Sequence, residues 1–240
     1  MDERFFVEVT REVEAVRAAQ ALRHRVFELE LGGRTASAQT GREVDALDPS
    51  CDHLLVQDLA HPEHGVVATA RFAPGTRYTS GEFDVSRLVA TGHRVAETGR
   101  TCVHPDYRGG AAGLLLFKGL IGHARARQVR FLVGAASFHG ADPRLHLPAL
   151  RSLRGAALAP EQVRPVAIGP EAIETNGPAE RGAMRHVPAL IKSYLRAGAW
   201  VGDGAWVDRA FDTVDVCILL DMERLTLPPA ARLDRFTASA

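Results

Sequence analysis

The chain has 240 residues, 46% of them hydrophobic, 24% charged and 6% aromatic, enough to bury one sizeable core or a core with an appended lobe. Its 29 Lys plus Arg cancel 29 Asp plus Glu, which excludes the overall basic charge of a dedicated nucleic-acid binder and any wholesale attraction to an anionic membrane. No window approaches the roughly 18 consecutive apolar residues that span a bilayer. The opening M-D-E-R-F-F-V-E-V-T has acids where a signal peptide needs bases, so a cytoplasmic protein is expected. Cys51, Cys102 and Cys217 are odd in number, far apart and in no metal-ligand spacing. They predict three buried packing residues in a reducing compartment, with no disulfide and no metal.

Residues 4–9 are short, aromatic and β-branched and predict a strand. Thr10 then stands as N-cap to a helix whose acids come early and whose Val13, Val16, Leu22, Val26 and Leu29 recur at helical spacing. Gly32 and Gly33 stop that helix, and the aperiodic polar stretch at 34–39 predicts a mobile loop. Runs at 53–58 and 65–73, separated by H-P-E-H, predict an antiparallel pair. A third strand at 94–103 leads through H-P-D-Y-R-G-G into a helix ending in basic residues, which suit the negative end of its dipole. A fully buried strand at 130–136 and a helix around 145–157 follow. The last third predicts a helix at 187–198, an apolar strand at 214–220 and a frayed tail after Phe236. The expected fold is α+β, a mostly antiparallel sheet flanked by helices. It forms one domain, with a core over 1–158 and a C-terminal extension over 159–240 packed on it.

The strand-to-helix junction at 103–113 carries the densest chemical signal. It puts Arg108, Gly109, Gly110 and Gly113 at the head of a helix, where free N–H groups and the dipole attract an anion. A tight structural turn is the competing reading. The preceding strand, R-V-A-E-T-G-R-T-C-V, is interrupted by Glu97 and Arg100, and Arg71 interrupts another apolar strand. Charges inside strands are costly unless paired or used, so they form either structural pairs or a shared polar pocket. Asp45 and Asp48, in E-V-D-A-L-D, are open to three readings: a solvated acidic loop, a grip on a basic substrate, or partners for Arg23, Arg71 and Arg100.

The order of elements and the segment V-H-P-D-Y-R-G-G-A-A-G resemble the GCN5-related N-acyltransferase (GNAT) superfamily, in which an R/Q-x-x-G-x-G/A turn cradles the phosphate of a phosphopantetheine-bearing donor. Arg108, Ala111 and Gly113 match that turn, with alanine in place of its first glycine and Gly110 beside it. A narrower resemblance covers nearly the whole chain. The stretches L-R-H-R-V-F-E-L-E-L-G, E-V-D-A-L-D, C-D-H-L-L-V, G-R-T-C-V-H-P-D-Y-R-G-G, G-A-A-S-F-H-G-A-D-P and Y-L-R-A-G-A-W-V-G-D-G-A-W-V-D are similar to the ornithine N-alpha-acyltransferases of ornithine-lipid synthesis. That group is itself similar to the acyl-homoserine-lactone synthases, whose shared set corresponds to Arg23, Phe27, Asp45, Asp48, Arg71, Glu97 and Arg100. Those synthases carry a Trp after the first helix, where this chain has Gly32-Gly33.

The resemblance implies transfer of a 3-hydroxyacyl chain from an acyl carrier protein thioester to the α-amino group of ornithine. Glu97 would be the base, and Arg23, Asp45, Asp48, Arg71 and Arg100 the acceptor-binding cluster. Cys102 and Val103, through backbone N–H, and Arg108, Gly109, Gly110, Ala111 and Gly113 would hold the donor. Cys102 is read as packing, not as a nucleophile. Lys118, Arg125, Arg127 and Arg130 form a basic run on which the acidic carrier protein would dock. No resident cofactor is expected, the acyl-phosphopantetheine thioester being a co-substrate, and no nucleic acid. The helix at 187–198 and Trp200 suggest peripheral contact with the cytoplasmic membrane. Another amine acceptor, giving an N-acyl amino acid or an acyl-homoserine lactone, and a non-catalytic acyl-thioester sensor are the rival readings.

Overall fold

The computed structural model describes residues 4–35 and 38–226, so the expected tail after Phe236 and part of the expected 34–39 loop lie outside the described residues. The elements in chain order are β1 (Phe5–Thr10), α1 (Val13–Arg23), β2 (Asp52–Asp58), β3 (Val66–Pro74), β4 (Phe83–Asp84), α2 (Ser86–Ala90), β5 (Val95–Val103) and α3 (Ala111–Ala126). They continue with β6 (Phe131–His139), α4 (Pro143–Ala157), β7 (Val166–Ala167), β8 (Ala172–Ile173), α5 (Ala189–Arg196), β9 (Trp200–Val201), β10 (Ala205–Asp208) and β11 (Thr213–Asp221). This is a mixed α/β fold of the GNAT type with a mostly antiparallel sheet, in which β5 and β6 run parallel. Among the described residues two compact units alternate along the chain: one takes the residues up to Pro74 with Thr98–Gln128, the other Gly75–Glu97 with the described residues from Val129 on.

In the first unit β1, β2 and β3 form an antiparallel meander, and the later part of β5 lies beside β3, with His104 N donating to Val67 O at 2.8 Å. β2 reads D-H-L-L-V-Q-D without alternation because both its faces are covered, Leu54, Leu55 and Val56 being fully buried. Helix α1 packs Ala19 and Leu22 against Leu55, Val66 and Cys102. Helix α3 lies over β1, β2 and β3 and buries Leu116, Leu120 and Ile121.

The start of α1 differs in detail from expectation. Glu12 is the N-cap without a side-chain bond, and Thr10 Oγ1 instead accepts from Glu12 N at 3.0 Å. The helix continues past Arg23 as a π-helical segment, His24–Glu30. Its wider turn shifts the buried face by a residue. Val26 therefore stays in the core while Leu29, expected on the same face, is exposed.

In the second unit β6 is central, with β5 parallel on one side over Val95–Glu97 and β11 antiparallel on the other, followed by β10 and β8; β9 also pairs with β11. One face of this sheet carries Phe131, Val133, Cys217 and Leu219 against Phe83, Val85 and Leu88 from the segment around β4 and α2. Helix α5 buries Ile191 on the β6 and β11 side. Trp200 packs against the same apolar cluster and lies under the Arg224 guanidinium, 3.9 Å from the ring centroid. No described helix is long and apolar enough to cross a membrane.

Gly198 closes the turn after α5 at φ +95°, where a Cβ would lie 2.8 Å from the Arg224 carbonyl oxygen. Backbone cannot yield as a side-chain tip does. Gly198→Ala is therefore expected to destabilise the protein by about 2–4 kcal/mol, read as a lower urea midpoint at unchanged slope.

Candidate active site

Among the described residues Arg23 is one of the largest fully buried side chains. Its guanidinium donates to Asp48 at 2.8 and 2.9 Å, to Glu43 Oε2 at 2.5 Å and to the Glu43 carbonyl at 2.6 Å. Asp48 also accepts from Gln20 Nε2 at 2.9 Å and from Arg71 at 3.1 Å. Arg71 reaches Asp45 at 2.9 Å, and Arg100 spans Asp45 at 2.8 Å and Glu43 at 3.2 Å. Three arginines thus meet three carboxylates in one network. The pairing reading of E-V-D-A-L-D is the one realised. Glu43, in the same stretch, is a member that the sequence reading passed over, although it precedes Asp45 by two residues.

Burial alone would push Asp48 and Asp45 up. The Arg23 hydrogen bonds and charge, with Gln20, hold Asp48 well below the usual carboxylate range, and Arg71 and Arg100 hold Asp45 below it. Burial likewise works against the charge on Arg23, but bonding to Asp48 and the Glu43 charge outweigh it and raise its pKa.

Arg100 joins this network from an unusual backbone position, with φ +51° inside β5 directly after Gly99. A left-handed non-glycine residue inside a strand persists only where its surroundings enforce it. The two ion pairs supply that enforcement. Three residues earlier on the same strand, Glu97 is buried, and its two oxygens accept from the backbone amides of Tyr78 at 3.2 Å and Thr79 at 2.6 Å. These bonds fix its orientation and leave each oxygen a further lone pair.

Cys102 lies in the apolar cluster under α1, and burial pushes its thiol up to about 12, which fits packing and not nucleophilic use. At the turn that follows, Gly109 takes φ +73° and Gly110 is the N-cap of α3 with no side-chain bond, so the first-turn amides of the 16-residue helix have no capping side chain. Ala111, at the motif's first glycine position, is exposed, and a Cβ on Gly113 would touch Val103 at 3.6 Å. Arg108 does not hang free beside this turn. It binds Glu30 of the π-helical segment, 2.7 Å to one oxygen, and the Val103 carbonyl at 3.2 Å. A cleft of about 370 Å³ opens here, bounded by Arg4, His61, His64, Tyr107, Arg108 and Ala111. The Tyr107 hydroxyl donates to Asp58 at 3.0 Å, and both burial and that carboxylate raise its pKa.

The expected basic run divides. Arg127 binds Asp52 at 2.7 Å, and Arg130 is held by Asp221 at 2.7 Å and by Glu223. Lys118 is half-buried, and Arg125 is exposed on the last turn of α3.

Residues 22–118 match the acetyltransferase (GNAT) domain family. The chain is 39% identical to an L-ornithine N(alpha)-acyltransferase of Rhodobacter capsulatus, over 92% of this chain and 91% of that one, and 37% identical to one of Brucella abortus, over 88% and 82%. The chain belongs to the L-ornithine N(alpha)-acyltransferase family. It is an acyltransferase with a GNAT domain. Among solved structures, a CoA-dependent acyl-homoserine lactone synthase, BjaI, bound to SAM and isopentyl-CoA, superposes with a TM-score of 0.53 at 15% identity, covering 91% of this chain and 83% of that one; the likeness is one of fold.

The ion network gives this acyltransferase a defined acid response. Asp45 and Asp48 have lower pKa values folded than unfolded, so their contribution to stability is complete above the unfolded value, about 3.9. It is lost as pH falls below that value toward the folded one, because the unfolded chain then binds protons first. Thermal scans are expected to show the wild type losing Tm steeply below about pH 4. Asp48→Asn should start from a lower Tm at neutral pH and lose less on acidification.

Proposed function

We propose that the enzyme transfers an acyl chain, 3-hydroxylated in the expected donor, from the phosphopantetheine thioester of an acyl carrier protein to the α-amino group of L-ornithine. The observation that carries this reading is the identity of 34–39% with four L-ornithine N(alpha)-acyltransferases across most of both chains. The α-amino nitrogen attacks the thioester carbonyl, the new C–N bond forms, and the tetrahedral oxyanion collapses with cleavage of the C–S bond. Glu97 takes the proton that the amine sheds, directly or through one water, for which its fixed orientation and remaining lone pairs suit it. A backbone N–H at Cys102 or Val103 holds the oxyanion. The leaving thiolate needs little assistance, because a thiol pKa near about 8.5 makes it a stable anion.

In this reading the donor's phosphate meets the uncapped first turn of α3 at Gly109–Gly113, with Arg108 exchanging part of its bond to Glu30 for the phosphate. The pantetheine thioester is a co-substrate and no resident cofactor takes part. Arg23, Asp45, Asp48, Arg71 and Arg100 act mainly on one another. They hold Arg100 of β5 in its left-handed backbone conformation. Of the four basic residues of the docking run, Arg125 keeps the clearest role toward an acidic carrier protein.

The purified protein, given 3-hydroxyacyl carrier protein and a panel of ornithine, lysine, glycine and homoserine compounds, is expected to yield N-acyl ornithine as the dominant product by mass spectrometry. A dominant product from another amine would move the acceptor and keep the chemistry. Absence of any product, with carrier protein bound, would replace the enzyme reading by a sensor. Glu97→Gln is expected to lower kcat by about 10²–10⁴-fold with donor binding retained. Arg125→Glu should raise KM for the carrier-protein donor about fivefold while sparing free acyl-pantetheine, and an equal loss with both donors would exclude docking at Arg125.

A further inference from the structure

The cleft beside the head of α3 is bordered by a chain of hydrogen bonds that the acyl transfer described above leaves unused. Asp58, at the end of β2, accepts from Arg4 at 2.8 and 3.1 Å and from the Ala60 amide at 3.1 Å. Arg4 above all holds its carboxyl down to about 2, so at neutral pH Asp58 is ionised and can only accept. The Tyr107 hydroxyl lies 3.0 Å from Asp58 Oδ2 and 2.7 Å from His64 Nδ1. Its single hydrogen goes to the carboxylate, which has none to offer in return. The phenol oxygen therefore accepts from His64, and Nδ1 carries the hydrogen. The tautomer follows: the neutral His64 ring presents a bare Nε2.

That ring is also confined. It lies nearly parallel to His104, with centroids 5.6 Å apart at 8°, and to His61, 5.7 Å apart at 19°, with Tyr107 edge-on at 5.6 Å. His64 borders the same cleft as Arg108, Gly110 and Ala111, the residues about the uncapped first turn of α3. The charged groups around it are Arg4 from β1, Asp58 from β2, Glu63 of its own turn, and Asp106 and Arg108 of the turn before α3. Arg4 is matched by Asp58, Arg108 by Glu30, and Glu63 lies against His61. Burial first, and then Arg25, lowers the pKa of His104, whose Nδ1 accepts from the Asp106 amide at 3.3 Å. A charge gained by His64 therefore meets carboxylates as well as arginines, and no charge on the buried neighbour in its stack.

We propose that His64 is a further ligand for the phosphate of the acyl donor, taking up a proton at Nε2 as the phosphate enters the cleft and donating it in a charge-assisted hydrogen bond, with Tyr107 and Asp58 as the groups that position the ring. This inference rests on the proposed use of a phosphopantetheine thioester, and it adds a residue from the turn between β2 and β3 to the glycine-rich turn before α3. A phosphodiester has acceptor oxygens and no hydrogen of its own, so a neutral Nε2 would meet it lone pair to lone pair. Protonation converts that repulsion into an N⁺–H···O⁻ bond. Both nitrogens of an imidazolium donate, so Nδ1–H keeps its bond to Tyr107 throughout. Binding of the acyl donor is thereby linked to uptake of one proton, and a lower pH strengthens it.

The test follows acylation of saturating ornithine from 3-hydroxyacyl carrier protein and from acyl-pantetheine, which lacks the phosphate, between about pH 8 and about pH 6, where imidazoles gain charge. For the wild type, KM for the carrier-protein donor is expected to fall about fivefold on acidification. His64→Gln should abolish that slope, leaving KM high at the acid end and kcat at saturating donor within about twofold of wild type. Tyr107→Phe, which removes the acceptor at Nδ1, should weaken the slope. KM for acyl-pantetheine should follow neither pH nor substitution. A flat wild-type profile, a slope retained by His64→Gln, or an equal rise in KM with both donors overturns the inference and leaves the transfer reaction standing. Independently of turnover, ¹³C NMR of the His64 ring is expected to show the Nδ1–H tautomer in the free enzyme and a titration moved to higher pH by holo carrier protein. A ring that does not respond to holo carrier protein overturns the inference. A ring that responds in a protein that acylates no ornithine upholds the phosphate contact and overturns the proposed acceptor.

Discussion

The burial of Arg23 is the constraint around which the first unit is organised. A guanidinium this deep in the core is tolerable only if each face of its fork is met by an ionised oxygen, because the loss of hydration would otherwise exceed what packing returns. Asp48 and Glu43 meet it, and both belong to an irregular segment with little apolar content of its own. That segment is therefore ordered by charge and not by hydrophobic burial. Once Asp48 is fixed by Arg23 and Gln20, Arg71 of β3 and Arg100 of β5 have defined partners, and the helix, the loop and two strands are cross-linked through six ionised groups.

The consequence for chemistry lies in β5. An ordinary strand passing from Glu97 to Val103 would not place an arginine in the left-handed region, and Arg100 adopts it next to Gly99 while bound at both ends of its fork. The distortion is thus maintained by the ion network, and along the chain it falls between the buried Glu97 and the stretch that leads into the turn at the head of α3. Strain of this kind is commonly stored where a backbone must present groups to a ligand.

Much of the scaffold was legible because its periodicity is strong. β2, β3, β5, α3 and β11 fall within a residue or two of where apolar runs and helical spacing put them, and the pairing of Asp45 and Asp48 with Arg23, Arg71 and Arg100 was among the readings that composition allowed. Three kinds of feature were not legible. The π-helical continuation of α1 leaves the 3.6-residue pattern nearly intact, so Leu29 reads as core although it is exposed. The two-residue strands β4, β7, β8 and β9 are too short for any period to declare itself. The buried grouping of Glu82 with Asp208 and Asp215 joins positions far apart in the chain: the register of β10 and β11 brings the two aspartates to one face, and the segment before β4 brings Glu82. The basic run shows the converse. Four cations close in sequence look like one patch, yet Arg127 and Arg130 are committed to Asp52, Asp221 and Glu223.

The ion network also bears on how an acceptor is held. In the first unit three carboxylates are matched by three guanidinia at hydrogen-bond distance, so an incoming ammonium would have to displace an arginine already in place and would gain little. The charge that orders this part of the scaffold is thereby committed to the scaffold, and removing one partner leaves a buried charge uncompensated.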